Sequence, residues 1–336
     1  MTEMATRELG RTGMMITRLG IGTWAIGGGG WAFGWGPQDD ADSAAAIRHA
    51  VEAGLNWIDT AAIYGLGHSE EVVGQAIAAF AEADRPLVFT KGGLIPNSTD
   101  RMGPSRRSGQ AASLRREADA SLRRLGVERI DLYQVHWPAD DAGIEEYWET
   151  MAGLQQAGKV RAIGLSNHGL AQLEAAEGIA HVDSLQPPFS LIRREAASEL
   201  IPWCAAHRTG VIVYSPMQAG LLTGAITAER VASMPADDWR RANPEFQSPR
   251  LEANLALVAA LRPVAERHAT TTAAVAIAWA LAFPGVTGAI AGARTPAQLD
   301  DWLAAASLQL SAADLEEIAA ALAATGAGAG PLSPAR

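Results

Sequence analysis

The chain has 336 residues, 48% of them hydrophobic and 19% charged, with a formal net charge of −10 and one cysteine. This composition supports a large core and excludes compositional disorder, while the acidic balance, without a lysine- or arginine-rich run, leaves no footprint for nucleic acid or an anionic membrane. Cys204 alone closes no intrachain disulfide, and the polar start through Gly13 has no apolar signal core, so a cytoplasmic location is expected.

In chain order, residues 7–18 read as a small hairpin around Gly10 to Gly13, placed to cap a barrel floor. Short apolar runs then alternate with alanine-rich segments of helical period. The runs predict strands at 19–22, 55–59, 87–91, 130–136, 160–165, 182–186, 211–214 and 288–291. The segments between and after them predict helices at 43–53, 69–82, 109–125, 143–157, 168–177, 195–207, 252–282 with a break near Thr270, and 296–306. Eight alternations without a linker predict an α/β fold, a (β/α)8 TIM barrel with an N-terminal β-hairpin, as one domain over 1–336 rather than an open doubly wound sheet. The longest strongly apolar stretch, 273–283, is too short to cross a bilayer and precedes Pro284 and Gly285, so it reads as a buried helix. Long loops at 27–42, 92–109 and 217–250 each follow a strand and belong on the C-terminal face, where barrel enzymes keep their active sites. The Gly-, Ala- and Pro-rich tail, 324–336, is expected to be mobile.

Asp59 and Tyr64 fall just past the second strand, Lys91 ends the third and His136 ends the fourth, so four polar groups converge on one rim. Singly, each has a structural reading: a turn cap, a packed phenol, a strand-end charge, a satisfied core histidine. Together they propose chemistry. Hydride addition to a carbonyl leaves an alkoxide that needs a proton, and Tyr64 is the acid. An ammonium at Lys91 would bring the phenol's pKa toward working pH, Asp59 would keep Lys91 charged and aimed, and His136 would hydrogen-bond the substrate oxygen.

Gly20-Ile21-Gly22-Thr23-Trp24-Ala25 formally matches a dinucleotide fingerprint, but a Gly- and Trp-rich loop follows where a helix should open. The better phosphate site follows the eighth strand. There Gly292, Arg294, Thr295 and Pro296 supply a glycine, a cationic fork, an N-cap and an N1 proline in order. Arg294 at that place predicts preference for the 2'-phosphorylated cofactor, NADPH. Trp24, Trp31, Phe33 and Trp35, with Trp137 after His136 and Phe189 after the sixth strand, suggest an apolar pocket wall. The seven histidines have no metal-site spacing, and the chemistry needs no metal.

These residues resemble the aldo-keto reductase family, whose tetrad is Asp, Tyr, Lys and His at these strand ends. The resemblance runs from Gly22-Thr23 through Ile58-Asp59-Thr60-Ala61, Tyr64-Gly65, Glu70-Glu71-Val72-Val73-Gly74, Thr90-Lys91, Asp131-Leu132-Tyr133, His136-Trp137-Pro138 and the segment from Lys159 to Asn167. The segments Gly22 to Gly28 and Tyr214 to Gly224 resemble the bacterial general-reductase branch. The resemblance implies NADP-dependent reduction of a small carbonyl substrate. It assigns Ser166, Asn167 and Gln186 to the nicotinamide carboxamide, with Tyr214 stacked on the ring and further cofactor contacts at Gly22, Thr23, Trp24 and Asp59. Backbone around Ser215, Met217 and Gly220 would hold the pyrophosphate, and Gln298 and Asp301 the adenosine end. The substrate pocket would comprise Trp24, Trp31, Trp35, Tyr64, His136 and Trp137. Two departures, Gln186-Pro187-Pro188-Phe189-Ser190 and Asp301-Trp302, fall where the family often has Gln-x-x-Tyr-Asn and Glu-Asn, and bear on the adenine contacts. Two other readings share the residues: a sugar or polyol dehydrogenase working oxidatively, and a nicotinamide-binding regulatory subunit resembling potassium-channel β subunits.

Overall fold

The computed structural model describes residues 4–234 and 238–334. Residues 1–3 of the polar start, 235–237 of the third long loop and 335–336 of the tail lie outside the described residues.

The hairpin comes first, β1 (Thr6–Glu8) antiparallel to β2 (Met15–Thr17). Eight parallel strands then close into a barrel: β3 (Leu19–Gly22), β4 (Trp57–Asp59), β5 (Leu87–Gly92), β8 (Ile130–Val135), β9 (Val160–Ser166), β10 (Ser184–Gln186), β11 (Gly210–Tyr214) and β12 (Val286–Gly292), which returns to β3. Between β5 and β8, the short strands β6 (Leu94–Ile95) and β7 (Arg106–Arg107) form an antiparallel ladder that the periodicity did not reveal. Two residues per strand carry too little pattern to be read.

The helices are α1 (Asp40–Glu52), α2 (His68–Ile77), α3 (Ala111–Leu125), α4 (Ile144–Gln156), α5 (Leu170–Glu177), α6 (Leu200–His207), α7 (Ala228–Ala232), α8 (Arg250–Arg267), α9 (Thr272–Leu281), α10 (Pro296–Leu303) and α11 (Ala312–Thr325). The break expected near Thr270 separates α8 from α9, where the Thr271 hydroxyl accepts the Ala274 N–H as an N-cap. Every residue of α9 is buried, which explains its unbroken apolar sequence. No described helix is long and apolar enough to cross a membrane.

The barrel floor is a packed plug. Leu9, Met14 and Ile16 of the hairpin meet Trp57, Phe89, Leu132, Ala162, Ile212 and Ile290 from the strands. Gly20 belongs to this packing and not to a dinucleotide motif, since a Cβ there would lie 2.3 Å from the Trp57 ring. Chain connectivity thus seals one end and leaves the strand C-termini to build a site.

Two expectations change. α11 was not predicted, although Ser311 and Asp314 form a capping box ahead of it. The tail, expected to be mobile from residue 324, is docked as far as Gly330: Arg194 donates to the carbonyls of Ala327 and Gly330, and the Arg194 N–H to that of Ala329. A buried arginine needs acceptors, and the tail carbonyls supply them.

Candidate active site

Asp59 and Lys91 sit at the ends of adjacent strands, and both are buried. Lys91 Nζ donates to Asp59 Oδ1 at 2.5 Å and to the Thr60 carbonyl at 2.9 Å. The other carboxylate oxygen accepts Gln186 Nε2 at 2.8 Å. Burial pushes the Asp59 carboxyl up and the Lys91 ammonium down, and each is opposed by the other's charge. The short contact and the added hydrogen bonds give the charges the partners that a buried pair requires.

Tyr64 begins a tight turn in which Gly65 and Leu66 both have φ near +60°. Glycine is required at 65 because a Cβ would lie 2.3 Å from the Gly27 carbonyl oxygen of the first loop. That close approach fixes the phenol at the mouth. The Lys91 ammonium lies 5.4 Å from the Tyr64 ring centroid, and the His136 ring is 5.7 Å away, edge-on. All four tetrad residues therefore gather at one rim.

Their electrostatics differ from the expectation in one respect. Burial first, and the Asp59 charge second, push the Tyr64 phenol well above its ordinary pKa rather than toward neutrality. Lys91 directs two of its three N–H groups to Asp59 and Thr60, and around the phenol loss of solvation outweighs the cation. His136 is pushed well below its ordinary value, chiefly by burial and then by Lys91. It is neutral at pH 7, and its buried Nδ1 has no hydrogen-bond partner among the described residues.

A hydrogen-bonded run continues from the tetrad. Ser166 Oγ donates to the Gln186 carbonyl at 3.0 Å, Asn167 Nδ2 donates to the His136 carbonyl at 3.0 Å, and the Tyr214 hydroxyl donates to Asn167 Oδ1 at 2.7 Å. Asn167 has φ 62°, and behind it His168 bridges the Ser166 carbonyl and the Tyr147 hydroxyl. Ser215 (φ 56°), Gln218, Ala219 and Gly220 form successive left-handed turns, in which Gly220 N donates to the Met217 carbonyl. Thr23 is fully buried and committed to the fold, with its hydroxyl and its N–H both on the Asp59 carbonyl. Gly22 pairs with Asp59 on one side and Gly292 on the other.

At the eighth strand end, Thr295 caps α10 with Pro296 at N1, as expected. The Arg294 fork, however, is engaged by the first loop. Its Nε donates to Gln38 Oε1 at 2.5 Å, and its terminal nitrogens donate to the carbonyls of Trp35 (3.3 Å) and Pro37. Gln298 Oε1 accepts the Arg294 N–H, Asp301 is exposed, and Trp302 is in the core.

Over the mouth lies an aromatic layer. Trp24 is roughly parallel to Tyr64 at 6.4 Å and edge-on to Trp35 at 5.4 Å, while Trp31 lies 6.5 Å from Tyr64. Trp137 carries the Arg107 guanidinium over its face at 4.7 Å. The sequence missed Trp239, which stacks on Trp24 at 5.5 Å and meets Trp35 edge-on, joining the first and third long loops. An indole inside a polar stretch of a C-terminal-face loop was the available signal. Phe189 is not a pocket wall, because it is fully buried against Trp279 and Phe283. The short β10 ends before it, and the chain turns it outward into the helical layer.

The model of the aldo/keto reductase family matches residues 18–323. The chain is 37% identical over 298 residues to the Bacillus subtilis protein named aldo-keto reductase YhdN, covering 88% of this chain and 87% of that one. It is 33% identical over 330 residues to an NADH-specific methylglyoxal reductase of Escherichia coli, covering 94% and 98%. The structure of a glycerol dehydrogenase from Gluconobacter oxydans superposes with a TM-score of 0.88 at 34% identity, covering 99% of this chain and 98% of that one. The chain belongs to the aldo/keto reductase family.

Proposed function

We propose that this chain reduces aldehydes or ketones to alcohols with NADPH, and that Tyr64 supplies the proton. The observation that carries the reading is the buried Lys91–Asp59 pair, 2.5 Å apart, with its ammonium 5.4 Å from the Tyr64 ring centroid. Charged pairs buried at a barrel's catalytic rim cost solvation that packing alone does not repay.

A nicotinamide cofactor, when bound, would supply the hydride that adds to the carbonyl carbon. The chain's own groups do the rest. Tyr64, kept protonated by burial, donates to the oxygen that becomes the alcohol, and Lys91 stabilises the phenolate left behind. Asp59 aims Lys91. Neutral His136 has a ring N–H with which to polarise the substrate oxygen, in a site where preorganised donors act strongly. Trp24, Trp31, Trp35 and Trp137 wall the substrate pocket, joined by Trp239.

Ser166, Asn167, Gln186 and Tyr214 would hold the nicotinamide end, the backbone at Ser215, Met217 and Gly220 the pyrophosphate, and Gln298 and Asp301 the adenosine end. Arg294 would hold the 2'-phosphate. Its present partners are all neutral, so its charge is uncompensated and suited to exchange them for a phosphate. The NADH-specific relative makes this the sharpest point to test.

The test is initial-rate oxidation of NADPH and NADH against a panel of aldehydes, ketones and sugars. Turnover that Tyr64→Phe abolishes while cofactor binding survives supports the reading. A tightly held cofactor with negligible turnover and a co-purifying protein would favour the regulatory-subunit reading. Proton exchange at Tyr64 is reversible, and the likeness to a glycerol dehydrogenase favours running the matching polyols with oxidised cofactor as the second reading.

A further inference from the structure

The β6–β7 ladder lies just past Lys91 in the chain, with Leu94 opposite Arg107 and Ile95 opposite Arg106. Directly opposed residues share one face of a ladder. Leu94 packs against the cluster of Trp31, Ala61 and Ile63 that also contacts Tyr64. Arg107 therefore stands on the face turned to the mouth, and Arg106 on the other.

The two arginines are treated differently. Arg106 donates to Asp141 Oδ2 at 2.8 Å, and Asp141 also accepts from Ser108 Oγ and Gly109 N. The Arg107 guanidinium has no hydrogen-bond or ion-pair partner among the described residues and rests 4.7 Å over the Trp137 ring, on the residue that follows His136. It is half-buried, and its backbone is held by the Asp140 N–H on its carbonyl at 3.3 Å. Stacking uses the guanidinium's face and leaves its in-plane N–H edge for a bidentate acceptor. In a chain with ten more acidic than basic residues, a half-buried cation left without an anion, stacked on the residue that follows His136, is poised for an anion from outside.

We propose that Arg107 is a specificity residue of this site, which takes carbonyl substrates bearing a carboxylate: the guanidinium grips the carboxylate while the carbonyl lies at Tyr64 and His136. The inference rests on the reductase reading and names its substrate class. One unpaired fork matches one carboxylate, whereas a phosphate dianion would leave a charge unmet.

The experiment compares kcat/KM for ω-oxo carboxylates of two to five carbons with neutral aldehydes of equal length, for wild type, Arg107→Met and Arg107→Lys. Wild type should prefer an oxo acid of one chain length, and Arg107→Met should lower its kcat/KM by about ten- to a hundredfold, mainly through KM. Neutral aldehydes should change less than about twofold, and lysine should restore part of the loss. Equal loss on both substrate classes would make Arg107 a structural support of Trp137 and overturn the proposal, as would no loss on either. Binding of butanoate, an unreactive carboxylate, is followed in parallel by quenching of tryptophan emission. If no carbonyl is turned over, the reductase reading falls by itself, and butanoate binding to wild type but not to Arg107→Met still decides whether Arg107 is an anion site. Absence of binding together with absence of oxo-acid preference would end it.

Discussion

Lys91 Nζ lies 2.5 Å from Asp59 Oδ1 with both side chains withdrawn from solvent. Removing one member of such a pair strands the other's charge, at a cost of about 3 to 5 kcal/mol. Asp59→Asn should therefore destabilise the fold by roughly that amount and lower kcat at least about a hundredfold. The double variant Asp59→Asn/Lys91→Met should be less destabilised than the two singles added together, because no charge is then stranded. Urea unfolding of all four proteins measures this. Strict additivity would mean that the pair is not coupled and that Asp59 does not hold Lys91.

The two titrating groups at the reacting centre move apart, Tyr64 upward and His136 downward. In the reductive direction the active form has Tyr64 protonated and His136 neutral. Activity is lost on the alkaline side only as the phenol ionises, above about pH 10, and on the acid side only as the imidazole charges, below about pH 6.5. The kcat profile for carbonyl reduction should be flat between those limits. Tyr64→Phe should lower the whole profile by at least about a hundredfold with cofactor affinity nearly unchanged. A wild-type rate that halves between pH 7 and 9 would place a different acid in the reaction.

His168 is buried and hydrogen-bonded to Tyr147 and to the Ser166 carbonyl, and burial lowers its pKa to about 4. The folded chain thus prefers the neutral ring. Its contribution is full above the unfolded pKa of about 6.5 and is lost as pH falls toward 4. Between pH 7.5 and 4.5 wild type should lose roughly 2 to 3 kcal/mol more unfolding free energy than His168→Phe. A pH-independent difference between the two would show that the ring is not held neutral by the fold.

The barrel and the convergence of the four polar groups were legible because both are short-range signals: apolar runs of strand length, three of them ending at Asp59, Lys91 and His136, with Tyr64 in the turn just past the first of these. The effect of Lys91 on Tyr64 was misjudged because desolvation depends on what surrounds a ring, which no spacing conveys. Trp239 and Gln38 were missed for a related reason. Each acts through a loop that closes on a partner far away in the chain, as Gln38 does on Arg294 256 positions later. α11 was missed in spite of a local signal, the Ser311–Asp314 box, because the Gly- and Ala-rich composition around it reads as tail. Phe189 shows the reverse error, an aromatic near the site assigned to it by proximity in sequence alone.

Cofactor choice turns on that Gln38–Arg294 contact. The first loop holds the Arg294 fork with three neutral acceptors, and a 2'-phosphate at the eighth strand end would have to take their place. A hydrogen bond to a charged group contributes roughly 1.5 to 3 kcal/mol, and a phosphate adds to such bonds the opposite charge and bidentate geometry that the three neutral acceptors lack, so the exchange favours phosphate. Arg294→Ala should weaken NADPH by about ten- to a hundredfold and change NADH much less. Gln38→Ala should have the opposite sign, leaving NADPH affinity equal or tighter because one competitor for the fork is gone. Added salt should erode the wild-type preference for NADPH where the phosphate end stays open to solvent. Dissociation constants of both cofactors for the three proteins, from quenching of tryptophan emission, decide the matter. If Arg294→Ala weakens both cofactors alike, the arginine serves the loop and not the phosphate. If wild type prefers NADH, as the Escherichia coli relative's name states of that protein, the assignment of this site to a 2'-phosphate is wrong.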